Sequence, residues 1–142
     1  MTISLCIKGR EEMTENIIIK PSVQKRFDSF MAHGRVLFFS APCGFGKTAV
    51  AEVLLRGRNV LRQSAADPDC AIPPSAQDWD ILLIDDLQLM QEEAGQQALC
   101  ELIRSSPERH FVLLSRGVPP GCLMAFQYTG LMTVLEADDL LF

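Results

Sequence analysis

The 142-residue chain lacks the features that mark membrane, secreted and nucleic-acid-binding proteins. Its apolar runs fall well short of the roughly 20 residues needed to cross a bilayer. The first 20 positions carry charges throughout and contain no apolar core of a signal peptide. The net charge is −5 and no lysine or arginine run occurs, so a nucleic-acid footprint is missing. We therefore expect a cytoplasmic protein with no membrane partner and no direct contact with nucleic acid.

Paired cysteines are also missing. The five cysteines stand at wide spacings without a CxxC motif, at positions Cys6, Cys43, Cys70, Cys100 and Cys122. An odd, scattered set predicts reduced thiols and argues against a zinc site or a disulfide framework. Cys43 precedes a predicted helix, and a thiol near a helix N-terminus is oxidised more easily. Two interpretations stay open: Cys43 is a redox switch, or it is a small residue that the loop tolerates.

The composition is that of one ordinary globular domain. Hydrophobic residues make up 48% of the chain and charged residues 22%. A chain of this length buries about two-thirds of the surface that it exposes when unfolded. We expect an N-terminal segment, residues 1–20, with a short strand and a loop, followed by a single domain over residues 21–142.

One glycine-rich stretch carries the chemistry. Residues 40–48 read SAPCGFGKT, follow the apolar run of residues 36–39 and precede a helical pattern over residues 47–56. A strand, a glycine loop and a helix that begins with Lys-Thr form a phosphate-binding P-loop. The helix N-terminus presents free N–H groups to an anion, and the glycines let the backbone curl around phosphate oxygens. Lys47 would reach the β- and γ-phosphates, and the Thr48 hydroxyl would bind Mg²⁺.

The loop departs from the general pattern at its first position. The pattern GxxxxGK[ST] requires glycine at position 41, where this chain has Ala41. Alanine is the smallest replacement, but it adopts a positive φ less readily than glycine. The alternative interpretation is a glycine-rich turn followed by a chance Lys-Thr.

Two further strand ends complete the candidate site. Residues 81–84 are apolar and lead into Asp85 and Asp86, and residues 110–114 lead into Ser115 and Arg116. We expect Asp85 to hold the Mg²⁺ shell, Asp86 to polarise the attacking water and Arg116 to sense or neutralise γ-phosphate charge. The alternatives are an acidic pair and a solvated arginine at strand ends. The predicted nucleotide contacts are Pro42, Cys43, Gly44, Phe45, Gly46, Lys47, Thr48 and Asp85, with Thr48 and Asp85 as the metal ligands.

Apolar runs alternate with helical patterns, which predicts βαβ units. Strands are expected at residues 2–7, 36–39, 59–63, 80–86, 110–114 and 131–135, and helices at 21–33, 47–56, 92–105 and 122–128. The predicted fold is therefore α/β, a P-loop NTPase with a three-layer sandwich and a mostly parallel sheet of about five strands. In helix 92–105 the expected apolar face is Ala94, Ala98, Leu99, Leu102 and Ile103. We expect Trp79 to pack in the interior and Arg109 to be a surface charge.

Three segments taken together resemble a known family. Residues 40–48 (SAPCGFGKT), 82–87 (LLIDDL) and 113–119 (LLSRGVP) are similar to the nucleotide-binding domain of MalT-like, LuxR-type transcriptional regulators, which belong to the STAND class of ATPases. That family often has Ala-Pro-x-Gly-Tyr-Gly-Lys-Thr, which accounts for Ala41. The resemblance extends over about residues 17–142 and implies a domain that lacks its C-terminal helical lid.

The resemblance implies a function as well as a fold. It implies ATP or ADP with Mg²⁺ as ligands, and a signal-transduction switch whose hydrolysis is slow or absent in the domain alone. Expected partners are downstream regulatory domains or other proteins. Two other functions stay open: a P-loop ATPase or kinase, and a non-catalytic interaction module with a decayed P-loop.

Overall fold

The computed structural model describes residues 19–42, 46–67 and 78–140. Within these ranges five strands form one sheet: β1 Val36–Ser40, β2 Val60–Ser64, β3 Ile81–Asp85, β4 His110–Ser115 and β5 Met132–Glu136. Their spatial order is β2-β3-β4-β1-β5, and every neighbouring pair is parallel. The predicted parallel α/β sheet of about five strands is confirmed.

Helices cover both faces of the sheet. The α-helices are α1 Pro21–His33, α2 Lys47–Leu54, α3 Glu93–Ser105, α4 Met124–Tyr128 and α5 Ala137–Leu140, and short 3₁₀ turns lie at Leu87–Leu89 and Gly121–Leu123. One apolar cluster joins the sheet to α1, α2 and α5, and a second joins it to α3 and α4. This arrangement is the predicted three-layer sandwich. No helix in the described part of the chain is long and apolar enough to cross a membrane.

Side-chain alternation along the strands explains the two clusters. In β1, Leu37 and Phe39 face α1 and α2, whereas Val36 and Phe38 face α3 and α4. All four side chains are at most 1% exposed. A strand that is buried on both faces has to be apolar at every position, which is why the central strands are continuous apolar runs.

Some predicted boundaries and faces were wrong. Ala94 and Ala98 are exposed, and Cys100 is buried beside Leu99 and Ile103 instead. At 3.6 residues per turn, Ala98 and Ala94 lie about 120° and about 160° from the centre of the buried stripe, so both alanines face solvent. Helix α2 ends at Leu54, two residues before the predicted end. The predicted strand of residues 2–7 lies outside the described residues.

Trp79 is packed in the interior as predicted, but Arg109 is more than a surface charge. The indole is 2% exposed and meets the Phe111 ring edge-on, with centroids 5.8 Å apart. The Arg109 guanidinium lies over the indole, 4.0 Å from the ring centroid. A cation at this distance interacts with the negative face of the ring, so the tryptophan anchors the arginine at the sheet edge.

The environment of His110 predicts that folding stability depends on pH. Its Nε2 lies 3.1 Å from the Met31 carbonyl oxygen, and its ring meets Phe30 edge-on. Burial lowers the pKa of His110 from 6.5, the nearby cations Arg35 and Arg58 lower it further, and the Met31 carbonyl acts in the opposite direction. As pH falls below 6.5, the unfolded chain takes up a proton that the folded chain resists, so we expect the free energy of unfolding to decrease.

Urea unfolding at pH 7.5 and pH 5.5 measures this dependence. The loss of stability between the two values should be smaller in His110→Gln than in the native chain. His33→Gln is the matched control because His33 is exposed at the end of α1. An equal loss in the native chain and in His110→Gln would contradict the assignment.

Candidate functional site

The predicted site residues follow three neighbouring strands at the same edge of the sheet. Strand β4 lies between β1 and β3, with Ser40 paired to Ser115 and Ile84 paired to Leu113. Asp85 therefore lies two strands from the start of the phosphate loop, which is about 10 Å at the usual strand spacing. The carboxyl ends of parallel strands are where ligands bind in open α/β sheets.

The start of α2 is suited to an anion. Gly46 precedes the helix with φ +76°, a conformation that favours glycine. The first turn of the helix has no acidic residue, and its first residue is Lys47. A cation at the positive end of a helix is unfavourable alone, and a bound anion would relieve it. The Lys47 ammonium donates to the Pro42 carbonyl oxygen, 3.2 Å away, so it lies near the chain that leaves β1.

Ala41 fits its position without strain. Among the described residues other than glycine, only Asp86 has a positive φ, so alanine at position 41 adopts an ordinary conformation. Its side chain is 2% exposed and belongs to the cluster under α1 and α2. Its N–H donates to the Ser115 carbonyl oxygen at 3.1 Å, which extends the pairing of β1 with β4. The departure from glycine therefore leaves the strand end intact and adds a buried methyl group.

The two aspartates have different environments. Asp85 ends β3, and its Oδ1 accepts a hydrogen bond of 2.8 Å from the Asp86 N–H. Asp86 adopts the left-handed conformation, φ 55° and ψ 41°, and begins the 3₁₀ turn Leu87–Leu89. Aspartate is one of the few residues other than glycine that tolerate this conformation. The turn redirects the chain directly after Asp85.

Gln88 joins the ends of β3 and β4. Its Nε2 donates to Asp86 Oδ1 at 3.4 Å, and its Oε1 accepts from the Arg116 N–H at 3.0 Å. The Arg116 side chain is exposed. This link could not be predicted from the sequence, because Asp86 and Arg116 follow different strands.

The loop after β4 is also tied to the phosphate-loop strand. The Ser40 hydroxyl donates to the Gly117 carbonyl oxygen at 2.9 Å, and the Gly117 N–H donates to Ser115 Oγ at 3.0 Å. These bonds fix the backbone on each side of Arg116. The adjacent ends of β1 and β4 therefore form one hydrogen-bonded unit.

Arg62 on the edge strand β2 is a second residue that the sequence did not reveal. Its guanidinium forms an ion pair of 2.6 Å with Glu52 of α2, and it lies 3.9 Å from Asp85 Oδ2. The side chain is 43% exposed, so solvent weakens both contacts. Arg62 nevertheless places a positive charge beside the carboxylate that is predicted to hold the metal.

The described residues fit a nucleotide with Mg²⁺. Thr48 and Asp85 offer a hydroxyl and a carboxylate, and both are half-buried. No cluster of three or more metal-binding side chains occurs among the described residues. Such a sparse set suits Mg²⁺, which keeps several waters and is held by one or two side chains together with phosphate oxygens. The predicted contacts Cys43, Gly44 and Phe45 lie outside the described residues.

No protein-family model matches the chain, and no curated protein does. Solved structures do match. The chain is similar to a DNA replication initiation factor, with a TM-score of 0.60 and 18% identity over 87% of this chain and 49% of the other. It is similar to RuvB T158V of Thermotoga maritima, with a TM-score of 0.55 and 21% identity over 83% of this chain and 45% of the other. It is also similar to C. elegans PCH-2, with a TM-score of 0.54 and 12% identity over 91% of this chain and 46% of the other.

These matches concern the fold. This chain spans about half the length of the three proteins. At identities of 12 to 21% the likeness is one of backbone architecture. Together with the parallel five-strand sheet, it shows that the chain has the fold of P-loop NTPases.

Proposed function

We propose that this chain is a Mg-ATP-binding domain that acts as a signal-transduction switch. The observation that carries the proposal is the meeting of three strand ends at one sheet edge. Lys47 and Thr48 begin the helix after β1, Asp85 ends β3, and Arg116 follows β4, which lies between them. One bound triphosphate with its metal could therefore contact the residues at all three strand ends.

Each described side chain has a separate task in this proposal. Lys47 binds the phosphates, and Thr48 and Asp85 hold the metal shell. Asp86 orients water, and Arg116 responds to the charge of the terminal phosphate. A Mg²⁺ ion held by Thr48 and Asp85 would supply positive charge that offsets the charge of the phosphates.

The switch role rests on the resemblance to MalT-like regulators of the STAND class, and so does the choice of adenine. The geometry supports a role in sensing because the backbone beside Arg116 is tied to both neighbouring strands. On the β3 side, the Arg116 N–H donates a hydrogen bond to Gln88. On the β1 side, the Ser40 hydroxyl donates one to the Gly117 carbonyl oxygen. A change in phosphate charge at this point would act on backbone that links three strands.

Thermal unfolding with nucleotide tests the proposal. A ligand that binds only the folded chain raises its melting temperature. At about 100 times the dissociation constant the gain is about 2.7 kcal/mol, which corresponds to roughly 10 °C for a domain of this size. We expect Mg-ATP and Mg-ADP to raise the melting temperature and expect EDTA to reduce the effect of ATP.

Two other outcomes would replace the proposal. An unchanged melting temperature at saturating nucleotide would indicate an interaction module that has lost nucleotide binding. Rapid loss of ATP from the isolated chain, with or without a candidate acceptor, would indicate an ATPase or a kinase. The proposed switch predicts a clear thermal shift together with slow or no turnover.

A further inference from the structure

The described part of the chain brings two free thiols into direct contact. Cys100 lies in α3 and is fully buried, and Cys122 lies in the 3₁₀ turn Gly121–Leu123 and is half-buried. Their Sγ atoms are 2.8 Å apart, although the residues are 22 positions apart in the sequence. We propose that Cys100 and Cys122 form a reversible intramolecular disulfide that ties α3 to the segment after β4.

The packing around the pair holds both thiols in place. Leu99 and Ile103 flank Cys100 on α3, and Leu123 follows Cys122 in the turn. All three leucine and isoleucine side chains are at most 1% exposed and share one apolar cluster with Cys100. The sulfur atoms need to approach by about 0.8 Å to reach the S–S bond length of about 2.0 Å. A movement of this size needs little backbone change.

The oxidant that the proposal requires is a small-molecule disulfide such as glutathione disulfide. The more accessible Cys122 thiolate attacks one sulfur of the oxidant, which forms a mixed disulfide with glutathione and releases one glutathione thiolate. The Cys100 thiolate then attacks the Cys122 sulfur and displaces the second glutathione thiolate. One protein dithiol and one glutathione disulfide thus give one protein disulfide and two glutathione molecules, with two electrons transferred.

The closing step should be slow at neutral pH and faster in alkali. In the reduced pair, burial, followed by the hydrogen bond and charge of Cys122, raises the pKa of Cys100 to about 12. In the mixed disulfide the contributions of Cys122 are gone, and burial keeps the pKa of Cys100 above its usual value. Only the thiolate attacks, so its population and the rate of closure increase about tenfold for each pH unit below the pKa of Cys100. Burial of the Cys100 thiol therefore makes the pair slow to close at neutral pH.

The bond would also brace the site edge. The closed segment runs from α3 through β4 and Arg116 to Cys122. A crosslink of this span restricts the unfolded chain, so we expect oxidation to raise the melting temperature by about 5 °C or more. A reducing agent should reverse the change.

The test uses the full chain and a variant with Cys6→Ser, Cys43→Ser and Cys70→Ser, which retains only the proposed pair. Each is incubated with glutathione buffers of increasing oxidised fraction, blocked with iodoacetamide in denaturant so that buried thiols react, and analysed by peptide mapping. We expect a Cys100–Cys122 crosslinked peptide in both proteins, a mass loss of two hydrogens and a higher melting temperature. The control, Cys122→Ser in the same background, should show no crosslink and no thermal shift.

Three results would overturn the proposal. The first is alkylation of both thiols in an excess of glutathione disulfide. The second is a glutathione adduct that remains on Cys122 without closure at pH 9. The third is a crosslink in the native chain between other cysteines. Mapping of the native chain decides the question even if the triple serine variant does not fold.

Discussion

Lys47→Ala is expected to weaken nucleotide binding by about 100-fold or more. In the structure, the Lys47 ammonium contacts the Pro42 carbonyl oxygen. This contact is exposed and its acceptor is an uncharged carbonyl, so an anionic phosphate oxygen can replace it with a stronger ion pair. Removal of one partner from a charged contact in a binding site costs about 3 kcal/mol or more, which weakens affinity by about 100-fold.

A fluorescent ATP analogue titrated against the native chain and the variant measures the loss. Lys25→Ala is the matched control because it removes the same charge from an exposed position on α1. We expect native affinity in the control and unchanged circular dichroism in both variants. Native affinity in Lys47→Ala would show that the loop does not bind phosphate in the way proposed.

The sequence predicted the sheet because its central strands are buried on both faces. Such strands are continuous apolar runs, as in residues 36–39 and 81–84, and they are recognisable without a structure. The ends of these runs also located Asp85 and Arg116, because parallel strands bring their carboxyl ends to one edge. Helix faces were harder to predict, since Ala94 and Ala98 repeat at a spacing of four residues with Leu102 but face solvent.

The sequence could not predict contacts between residues that are distant along the chain. Gln88 joins two strand ends, Arg62 approaches a carboxylate on the neighbouring strand, and Cys122 touches a thiol on α3. A sequence motif records residues at fixed spacing, whereas each of these contacts joins two different strands, turns or helices. Ala41 shows the opposite case. The motif pattern predicted that alanine would be unfavourable there, but the backbone at this position does not have the positive φ that would require glycine.

Arg35→Ala is expected to cause a large loss of stability without affecting the nucleotide site. Arg35 precedes β1, at the sheet edge opposite the phosphate loop. Its Nε donates to the Arg109 carbonyl oxygen at 3.1 Å, and its terminal nitrogen donates to the carbonyl oxygens of Ile103, at 2.6 Å, and Ser106. The guanidinium also lies over the Phe111 ring, 5.9 Å from its centroid. One side chain thus fastens the end of α3 to the start of the sheet.

The expected loss for Arg35→Ala is about 2–4 kcal/mol, because bonds from a charged donor contribute about 1.5–3 kcal/mol each and are not additive. Arg35→Lys should recover only part of the loss, since an ammonium cannot reproduce the planar fork that reaches three carbonyls. Urea unfolding measures both variants, with Arg56→Ala as an exposed control. Below the unfolding transition, Arg35→Ala should bind the ATP analogue with native affinity, which separates this structural role from that of Lys47. A loss below about 0.5 kcal/mol would show that solvent replaces the three bonds at no cost, and α3 would then be held by its apolar stripe alone.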